Sequence, residues 1–353
     1  MYDPYFETGR WIVSHKTKND LSNSGLSGRI DLKKYFENAT MMDEDILKEE
    51  IANLNNTEKE NVVVTHGATE ALFMLVAFLR LSDHYTYHVR FPEYEPIYKL
   101  PELLDLDNVG EMVEKGEINR KYRKYEEGDK KIFVVDGNYG KANDGRFDLL
   151  LYSNINNPTG WFLEEINNFR TNVVDETFLQ FYMDLDSVKY KNETYRINTY
   201  TKFYGGDEVR VGWIIAPDEE RAKKINSMKG IFTEQVSRYN ISVAYRMIRE
   251  NESIKEFARY EMQKNQSYLK KNMGKLRFYG NKGPELSTVS FVDYSLYTKM
   301  DSIALGEYLY KKGISIVPGK FFGVEGPYLR VCYTREDFSR VFDQFLGYLE
   351  ELE

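Results

Sequence analysis

Cysteine and histidine are both scarce in this chain of 353 residues. The single cysteine, Cys332, excludes an internal disulfide framework and suits a reducing compartment. Four histidines beside one cysteine argue against a metal centre. We therefore expect neither a disulfide-stapled secreted protein nor a metalloprotein.

The chain also lacks long apolar runs and an excess of positive charge. Its longest apolar run, residues 71–81, is interrupted by Arg80 and is too short to span a bilayer. The first residues contain no apolar segment of the kind found in a secretory signal. The net charge of -8 argues against general nucleic-acid binding. These absences predict a cytoplasmic protein with no membrane or nucleic-acid partner.

Short apolar strands separated by helical stretches predict an α/β fold. Residues 42–56 have the apolar spacing of a helix, and residues 61–81 indicate a strand, a glycine turn and a second helix. Several strand candidates are continuous runs without alternation, which favours a mostly parallel sheet covered by helices on both faces. These candidates are residues 87–91, 132–135, 149–152, 171–174, 195–198 and 213–216.

A change of pattern near residue 235 predicts two domains. Long polar helices follow over residues 232–273, and then short strands and a closing helix at 335–352. We predict a large domain over residues 41–235 and a smaller α+β domain formed by residues 1–40 and 236–353, joined through a long helix.

Gly67, Ala68 and Thr69 lie where a predicted strand meets a helix. Unpaired N–H groups at a helix start bind phosphate, and glycine permits its close approach. Taken alone, Gly67 is as well explained by an ordinary turn. No Gly-Lys-Ser/Thr follows, and no strand ends in GxGxxG, so neither a Walker loop nor a dinucleotide fingerprint is present.

Along the sequence, Lys202 is preceded by residues with hydroxyl groups and followed by an arginine. Thr199 and Thr201 precede it, and Arg210 follows eight residues later. A lysine forms an imine with an aldehyde only when its amine is unprotonated, and a fixed arginine nearby disfavours the ammonium. The same arginine pairs a phosphate bidentately.

Four further residues stand at or near strand ends. Tyr94 is placed to stack on a flat ring, or is simply a core tyrosine; Asn157 is a ring-oxygen donor or an ordinary turn residue. Asp175 is a partner for a pyridine nitrogen or a helix cap. Arg330, inside an apolar strand, binds a substrate carboxylate or forms a structural ion pair. Taken alone, each of these residues is better explained by its ordinary structural role. Together, the residues supply what pyridoxal phosphate requires.

In these motifs the chain resembles the class I and II aminotransferases, which are fold type I pyridoxal-phosphate enzymes. The resemblance implies that Lys202 carries the cofactor and that Arg330 binds the substrate α-carboxylate. It further implies that Tyr94 stacks on the cofactor ring, that Asn157 donates to the ring oxygen and that Asp175 pairs with the ring nitrogen. The residues that it implies for the phosphate are Gly67, Ala68, Thr69, Thr199, Thr201 and Arg210. The length is similar to that of the histidinol-phosphate aminotransferase and threonine-phosphate decarboxylase branch.

The chain departs from the family pattern at two points. Phe178 stands where the family has a tyrosine whose hydroxyl supports the ring oxygen, so we expect altered tuning of the cofactor. Gly205-Gly206-Asp207-Glu208 replaces the usual Gly-Leu-x-Gly. Tyr35 is a weak match to the tyrosine that reaches the neighbouring subunit's phosphate.

The resemblance implies amino-group transfer from an L-amino acid to a 2-oxo acid through pyridoxamine phosphate, in a homodimer with shared sites. Two alternatives stay open: a decarboxylase or β-lyase with the same cofactor, and a non-catalytic relative that keeps the fold. No motif identifies the substrate side chain.

Overall fold

The computed structural model describes residues 6–82, 86–104, 107–108, 122–127, 130–135, 147–164, 169–191 and 193–353. The helices are α1 (Glu7–Ser14), α2 (Lys33–Phe36), α3 (Glu44–Asn55), α4 (Ala68–Leu81), α5 (Glu95–Leu103), α6 (Leu179–Tyr182), α7 (Glu219–Phe232), α8 (Arg238–Arg249), α9 (Asn251–Lys271), α10 (Ser302–Lys311) and α11 (Phe338–Glu350). The strands are β1 (Asn19–Asp20), β2 (Val62–Thr65), β3 (Thr86–Val89), β4 (Asp107–Asn108), β5 (Tyr122–Glu127), β6 (Lys130–Val135), β7 (Phe147–Ser153), β8 (Phe169–Asp175), β9 (Glu193–Thr199), β10 (Gly212–Ile215), β11 (Arg277–Phe278), β12 (Val289–Asp293), β13 (Ile314–Ser315), β14 (Val317–Pro318) and β15 (Tyr328–Cys332).

A seven-stranded sheet forms the centre of the molecule, in the order β2-β10-β9-β8-β7-β3-β4. The pairs from β9 to β4 are parallel, and β10 is antiparallel to both of its neighbours. Strands β2 and β9 therefore point the same way. The predicted α/β fold with a mostly parallel sheet is confirmed.

Both faces of this sheet are buried, which explains the uninterrupted apolar runs in its strands. Successive side chains of a strand point to opposite faces. In β2, Val63 packs in the apolar layer with α4 and α7, while Val62 and Val64 belong to the larger core on the other face. In β7, Leu151 packs in the same layer as Val63, and Leu150 packs on the opposite face.

A second, antiparallel sheet in the order β11-β12-β15-β14 is built from the C-terminal third of the chain. The N-terminal segment joins it, because β1 pairs with β13 and the Trp11 indole donates to the Ile316 carbonyl at 2.8 Å. These contacts agree with the grouping of residues 1–40 with the C-terminal part, and the division into two domains stays a prediction.

Three features differ from the predicted elements. Residues 233–237, at the predicted boundary, are not helical and separate α7 from α8. The strand expected at 132–135 exists, but it pairs with β5 in a separate two-stranded hairpin. Helix α1 was not predicted. Among the described residues, no helix is long and apolar enough to cross a membrane.

Candidate active site

The twelve site residues predicted from the sequence line one cavity of about 490 Å³. Parallel strands bring their carboxyl ends to one sheet edge, and β2, β3, β7, β8 and β9 all end there. Strand β10 runs the other way, so Arg210, just before it, reaches the same edge. The lining residues are Gly67, Ala68, Thr69, Tyr94, Asn157, Asp175, Phe178, Thr199, Thr201, Lys202, Arg210 and Arg330.

Lys202 follows β9 and is half-buried in the cavity wall. Burial lowers the pKa of its amine, and the charges of Arg330 and Arg210 lower that pKa further. The carboxylate of Asp207 acts in the opposite direction. The net lowering of the pKa increases the share of unprotonated amine, which is the form that attacks an aldehyde.

Gly67, Thr199 and Arg210 converge on one corner of the cavity. Gly67 has φ +107 at the start of α4, a conformation that favours glycine. A side chain there would lie 3.7 Å from the Arg210 guanidinium and 3.8 Å from the Thr199 hydroxyl. The corner thus combines a helix N-terminus, a hydroxyl and a guanidinium, which together suit a phosphate.

Asp175, at the end of β8, is held by one carboxylate oxygen. That oxygen accepts the backbone N–H of Thr177 at 2.9 Å and the Thr177 hydroxyl. The second oxygen makes no hydrogen bond to a described residue. Burial raises the pKa of this carboxyl, although the Thr177 bonds and the positive charge of Lys202 lower it. A cationic ring nitrogen beside the second oxygen would stabilise the carboxylate.

Arg330 is a buried guanidinium, only 2% exposed. Its Nη1 donates to the Asn157 side-chain oxygen at 3.1 Å and its Nη2 to the Ser22 carbonyl at 2.8 Å. Its Nε has no hydrogen-bond partner among the residues that the structure describes. No carboxylate of the described residues lies within ion-pairing distance of Arg330, so the structure contains no ion pair to account for it. A buried cation without a counter-ion is suited to binding an anion.

Asn157 and Phe178 occupy the wall between these groups. The Asn157 backbone N–H donates to the Ser153 hydroxyl at 2.9 Å, and its side-chain oxygen is occupied by Arg330. Its side-chain N–H groups make no hydrogen bond to a described residue, so they are free to donate into the cavity. Phe178 is buried and has no polar atom to add there.

Tyr94 forms another part of the wall. Its pKa is raised by burial and by the nearby charge of Asp175, while a hydrogen bond with Thr69 lowers it. The ring of Phe6 meets the Tyr94 ring edge-on, with 5.7 Å between the centroids. Tyr35, in contrast, is buried within the same protomer and donates to Glu250 at 2.8 Å, so its expected reach to a neighbouring subunit has no support here.

Residues 26–345 match the family described as aminotransferase class I and II. The chain belongs to this family. It is 28% identical over 215 residues to histidinol-phosphate aminotransferase 2 of Carboxydothermus hydrogenoformans, covering 53% of this chain and 51% of the relative. It is 30% identical over 185 residues, 47% of this chain and 45% of the relative, to a protein of Caldanaerobacter subterraneus subsp. tengcongensis assigned as a threonine-phosphate decarboxylase. The chain thus spans about half the length of these two relatives.

The fold is shared with solved members of the family. A PLP-dependent aminotransferase from Streptococcus suis has a TM-score of 0.76 to this chain at 16% identity, with 100% of this chain and 99% of the other covered. The cofactor of this aminotransferase-family chain is pyridoxal 5'-phosphate. The residues present fit it, because they provide a phosphate corner at Gly67, an amine at Lys202 and a carboxylate oxygen of Asp175 that has no hydrogen-bond partner in the described part of the chain.

Sequence reasoning missed Glu93, a fully buried carboxyl next to the cavity wall. Its oxygens accept the backbone N–H of Tyr94 at 2.7 Å, the backbone N–H of Ser153 at 2.8 Å and the Ser153 hydroxyl. Asn156 adds a longer bond at 3.3 Å. Burial raises the pKa of Glu93 to about 8. The sequence signal that could have identified Glu93 is the presence of an acidic residue in the apolar segment around Tyr94.

Sequence reasoning also missed the wall formed by α1 and the residue before it. Phe6, Thr8, Gly9, Ile12 and Val13 all line the cavity. This helix has no side-chain cap of its own. Glu95 takes that place, accepting the backbone N–H of Glu7 at 3.0 Å and that of Thr8 at 2.6 Å. No local sequence signal identifies a cap that comes from 88 positions away.

Proposed function

We propose that this protein is a pyridoxal-phosphate-dependent aminotransferase that moves an amino group from an L-amino acid to a 2-oxo acid. The observation that carries the proposal is the pairing of Lys202 with Arg330 in one cavity. One is an amine whose pKa is lowered by burial, and the other is a buried guanidinium without a carboxylate partner in the described chain. An amino acid carries an amino group and a carboxylate on the same carbon. The cofactor aldehyde held at Lys202 would take the amino group, and Arg330 would bind the carboxylate.

Bound pyridoxal phosphate supplies an aldehyde for the amino group and a ring that stores electrons from the α-carbon. Lys202 would hold the cofactor through its Nζ, and the same Nζ, when free, would act as the base for the proton on the substrate α-carbon. A neutral amine is needed for both roles, and burial of Lys202 favours that form.

The other residues orient the substrate and stabilise the bound cofactor. Arg330 binds the α-carboxylate through a charge-assisted hydrogen bond, which fixes the α-carbon near Lys202. Asp175 would keep the ring nitrogen protonated through the carboxylate oxygen that has no partner among the described residues, and the side-chain N–H of Asn157 would donate to the ring oxygen. Arg210 and the start of α4 hold the phosphate.

Replacing the lysine tests the proposal. Lys202→Ala removes the only amine placed in the described cavity wall, so we expect loss of the ~420 nm band of the bound cofactor and at least 10³-fold slower transfer. Lys320→Ala is the matched control, because Lys320 is exposed and lies outside the cavity. Full transfer activity in Lys202→Ala contradicts the proposal.

The product distinguishes transamination from decarboxylation, which the name of one relative suggests. The bond that breaks is the one held perpendicular to the cofactor ring. With 2-oxoglutarate as acceptor, we expect a new 2-oxo acid and glutamate in equal amounts and no CO₂. Release of CO₂ with an amine product assigns the protein to decarboxylation instead.

A further inference from the structure

The cationic residues described in the cavity lining all have a role other than binding the substrate side chain. They are Lys202, Arg210 and Arg330. Under the proposed function, on which this inference rests, they serve the cofactor aldehyde, its phosphate and the α-carboxylate. A second carboxylate or a phosphate ester on the substrate would therefore find no further cationic partner among the described lining residues.

One anionic residue of the lining has no cationic partner among the described residues. Asp207 lines the cavity, and its carboxylate accepts a hydrogen bond from the Ser27 hydroxyl. No described lysine or arginine lies within ion-pairing distance of Asp207. Asp175, the other acidic residue of the lining, is assigned to the ring nitrogen. The charge left over for the substrate is therefore negative, which repels an anionic side chain.

The wall formed by α1 and the residue before it is apolar. Phe6, Ile12 and Val13 face the cavity, together with the uncharged Thr8 and Gly9. Phe6 also contacts the Tyr94 ring, which places this apolar wall beside the predicted cofactor-stacking residue. Burying methylene groups against such a wall favours substrates that carry them.

We propose that the site selects L-amino acids with uncharged, apolar side chains and rejects those with a second anionic group. Leucine, methionine and phenylalanine represent the accepted class. Aspartate, glutamate and threonine phosphate represent the rejected class. Because one added methylene in an apolar pocket changes kcat/KM by about tenfold or more, leucine should exceed alanine by at least that factor.

Donor conversion on the holoenzyme is the first test. Each amino acid is mixed with the enzyme, and the change of the cofactor spectrum to the pyridoxamine form is followed. We expect leucine, methionine and phenylalanine to convert at least 100-fold more efficiently than aspartate, glutamate or threonine phosphate. Preference for an anionic donor, or for a cationic donor such as lysine, overturns the inference and leaves the proposed aminotransferase function intact.

Binding without turnover is the second test. 4-Methylpentanoate and succinate both offer one carboxylate to Arg330, but succinate adds a second charge. Calorimetry on the holoenzyme should give at least tenfold tighter binding of 4-methylpentanoate. If no amino acid converts the cofactor, the proposed function fails, and this comparison still decides the inference, since tighter succinate binding contradicts it.

A charge placed on the wall provides the third test. Val13 is 79% exposed at the rim, so substitution there is compatible with folding. Val13→Arg supplies the missing cation, and we expect the ratio of aspartate to leucine conversion to rise at least tenfold. Val13→Met, which is long but uncharged, is the control and should leave that ratio within about twofold. An unchanged ratio in Val13→Arg overturns the role of α1 in selection.

Discussion

Glu93 places a carboxyl in the protein interior between two residues of the cavity wall. Its raised pKa of about 8, against 4.5 in the unfolded chain, means that the folded state holds the proton more tightly. Its contribution to stability is therefore undiminished below about pH 4.5 and decreases as the pH rises towards 8. The total loss is at most about 5 kcal/mol, at ~1.36 kcal/mol per pKa unit.

Glu93→Gln separates this pH effect from the hydrogen bonds. The variant keeps one of the two acceptor oxygens, so the buried N–H of either Tyr94 or Ser153 loses its acceptor, which costs about 1–3 kcal/mol at any pH. It does not ionise, so the deficit in unfolding free energy against the wild type should shrink or reverse between pH 5 and pH 8. Urea denaturation at both pH values measures it. Glu49→Gln, at an exposed site, should show no such trend, and a constant deficit in Glu93→Gln contradicts the raised pKa.

Phe178 is the residue where this chain departs from its family inside the cavity. In Phe178→Tyr we expect the new hydroxyl to donate to the ring oxygen of bound cofactor, which favours the ionised oxygen. The pH midpoint of the visible absorption change should fall by about one unit. Spectrophotometric titration of the holoenzyme measures it. Phe162→Tyr, outside the cavity, should leave the midpoint in place, and an unshifted midpoint in Phe178→Tyr shows that the hydroxyl does not reach the ring oxygen.

At the residue scale, the sequence predicted which side chains meet, because most of them follow strands whose carboxyl ends face the same edge; Arg210 precedes the antiparallel β10, and Arg330 lies in β15 of the second sheet. It did not predict their electrostatic state. That Arg330 has no carboxylate partner, or that Glu93 is enclosed, depends on residues far away in the chain, such as Ser22 and Ser153. Such neighbours become visible only when the strands are paired.

Two side chains of α5 bind helix α1: Glu95 accepts from its backbone, and Lys99 pairs with Glu7 at 2.9 Å. Glu95 caps its first two N–H groups and also pairs with Lys99 at 2.7 Å. Loss of a cap of this kind costs about 1–2 kcal/mol, which is a factor of about ten in local opening. Because α1 forms part of the cavity wall, its opening also exposes the site.

We expect Glu95→Ala to increase tryptic cleavage after Arg10 about tenfold and to raise KM for the amino donor. Limited proteolysis under native conditions measures the first effect, and steady-state kinetics the second. Glu7→Ala is the comparison that separates the cap from the ion pair, because it removes the Lys99–Glu7 pair but leaves both Glu95 bonds to the backbone of α1. Equal cleavage rates in the wild type and Glu95→Ala would show that the cap does not hold the helix.

At the element scale, success and failure of prediction have a common cause. Strands β2, β8 and β9 are apolar runs in their own right, and the structure places them within about two residues of the predicted ranges. Helix α1 begins without a local cap, and the partner of the strand at 132–135 is not encoded in that strand. Local sequence predicts an element when its stabilising contacts are local or periodic.

At the scale of the whole molecule, α4 and α7 share an exposed apolar surface. Phe73, Ile231 and Phe232 are 37%, 82% and 58% exposed, and the rings of Phe73 and Phe232 meet edge-on at 6.3 Å. Contiguous exposed apolar side chains mark a surface that binds another protein. Helix α4 starts at the phosphate corner, so a partner on this surface would sit next to the cavity, as shared sites in a homodimer require.

We therefore predict a homodimer that pairs through this surface of α4 and α7. The double change Ile231→Glu with Phe232→Glu places two charges where apolar contact is expected, and repulsion across a two-fold axis doubles their effect. Light scattering at micromolar concentration should give twice 41.6 kDa for the wild type and 41.6 kDa for the double variant.

Leu296→Glu changes an equally apolar side chain, 48% exposed, on the other part of the molecule and should leave the dimer intact. A dimer that survives the double variant would place the interface elsewhere, and a monomeric wild type with full transfer activity would show that one chain completes its own site.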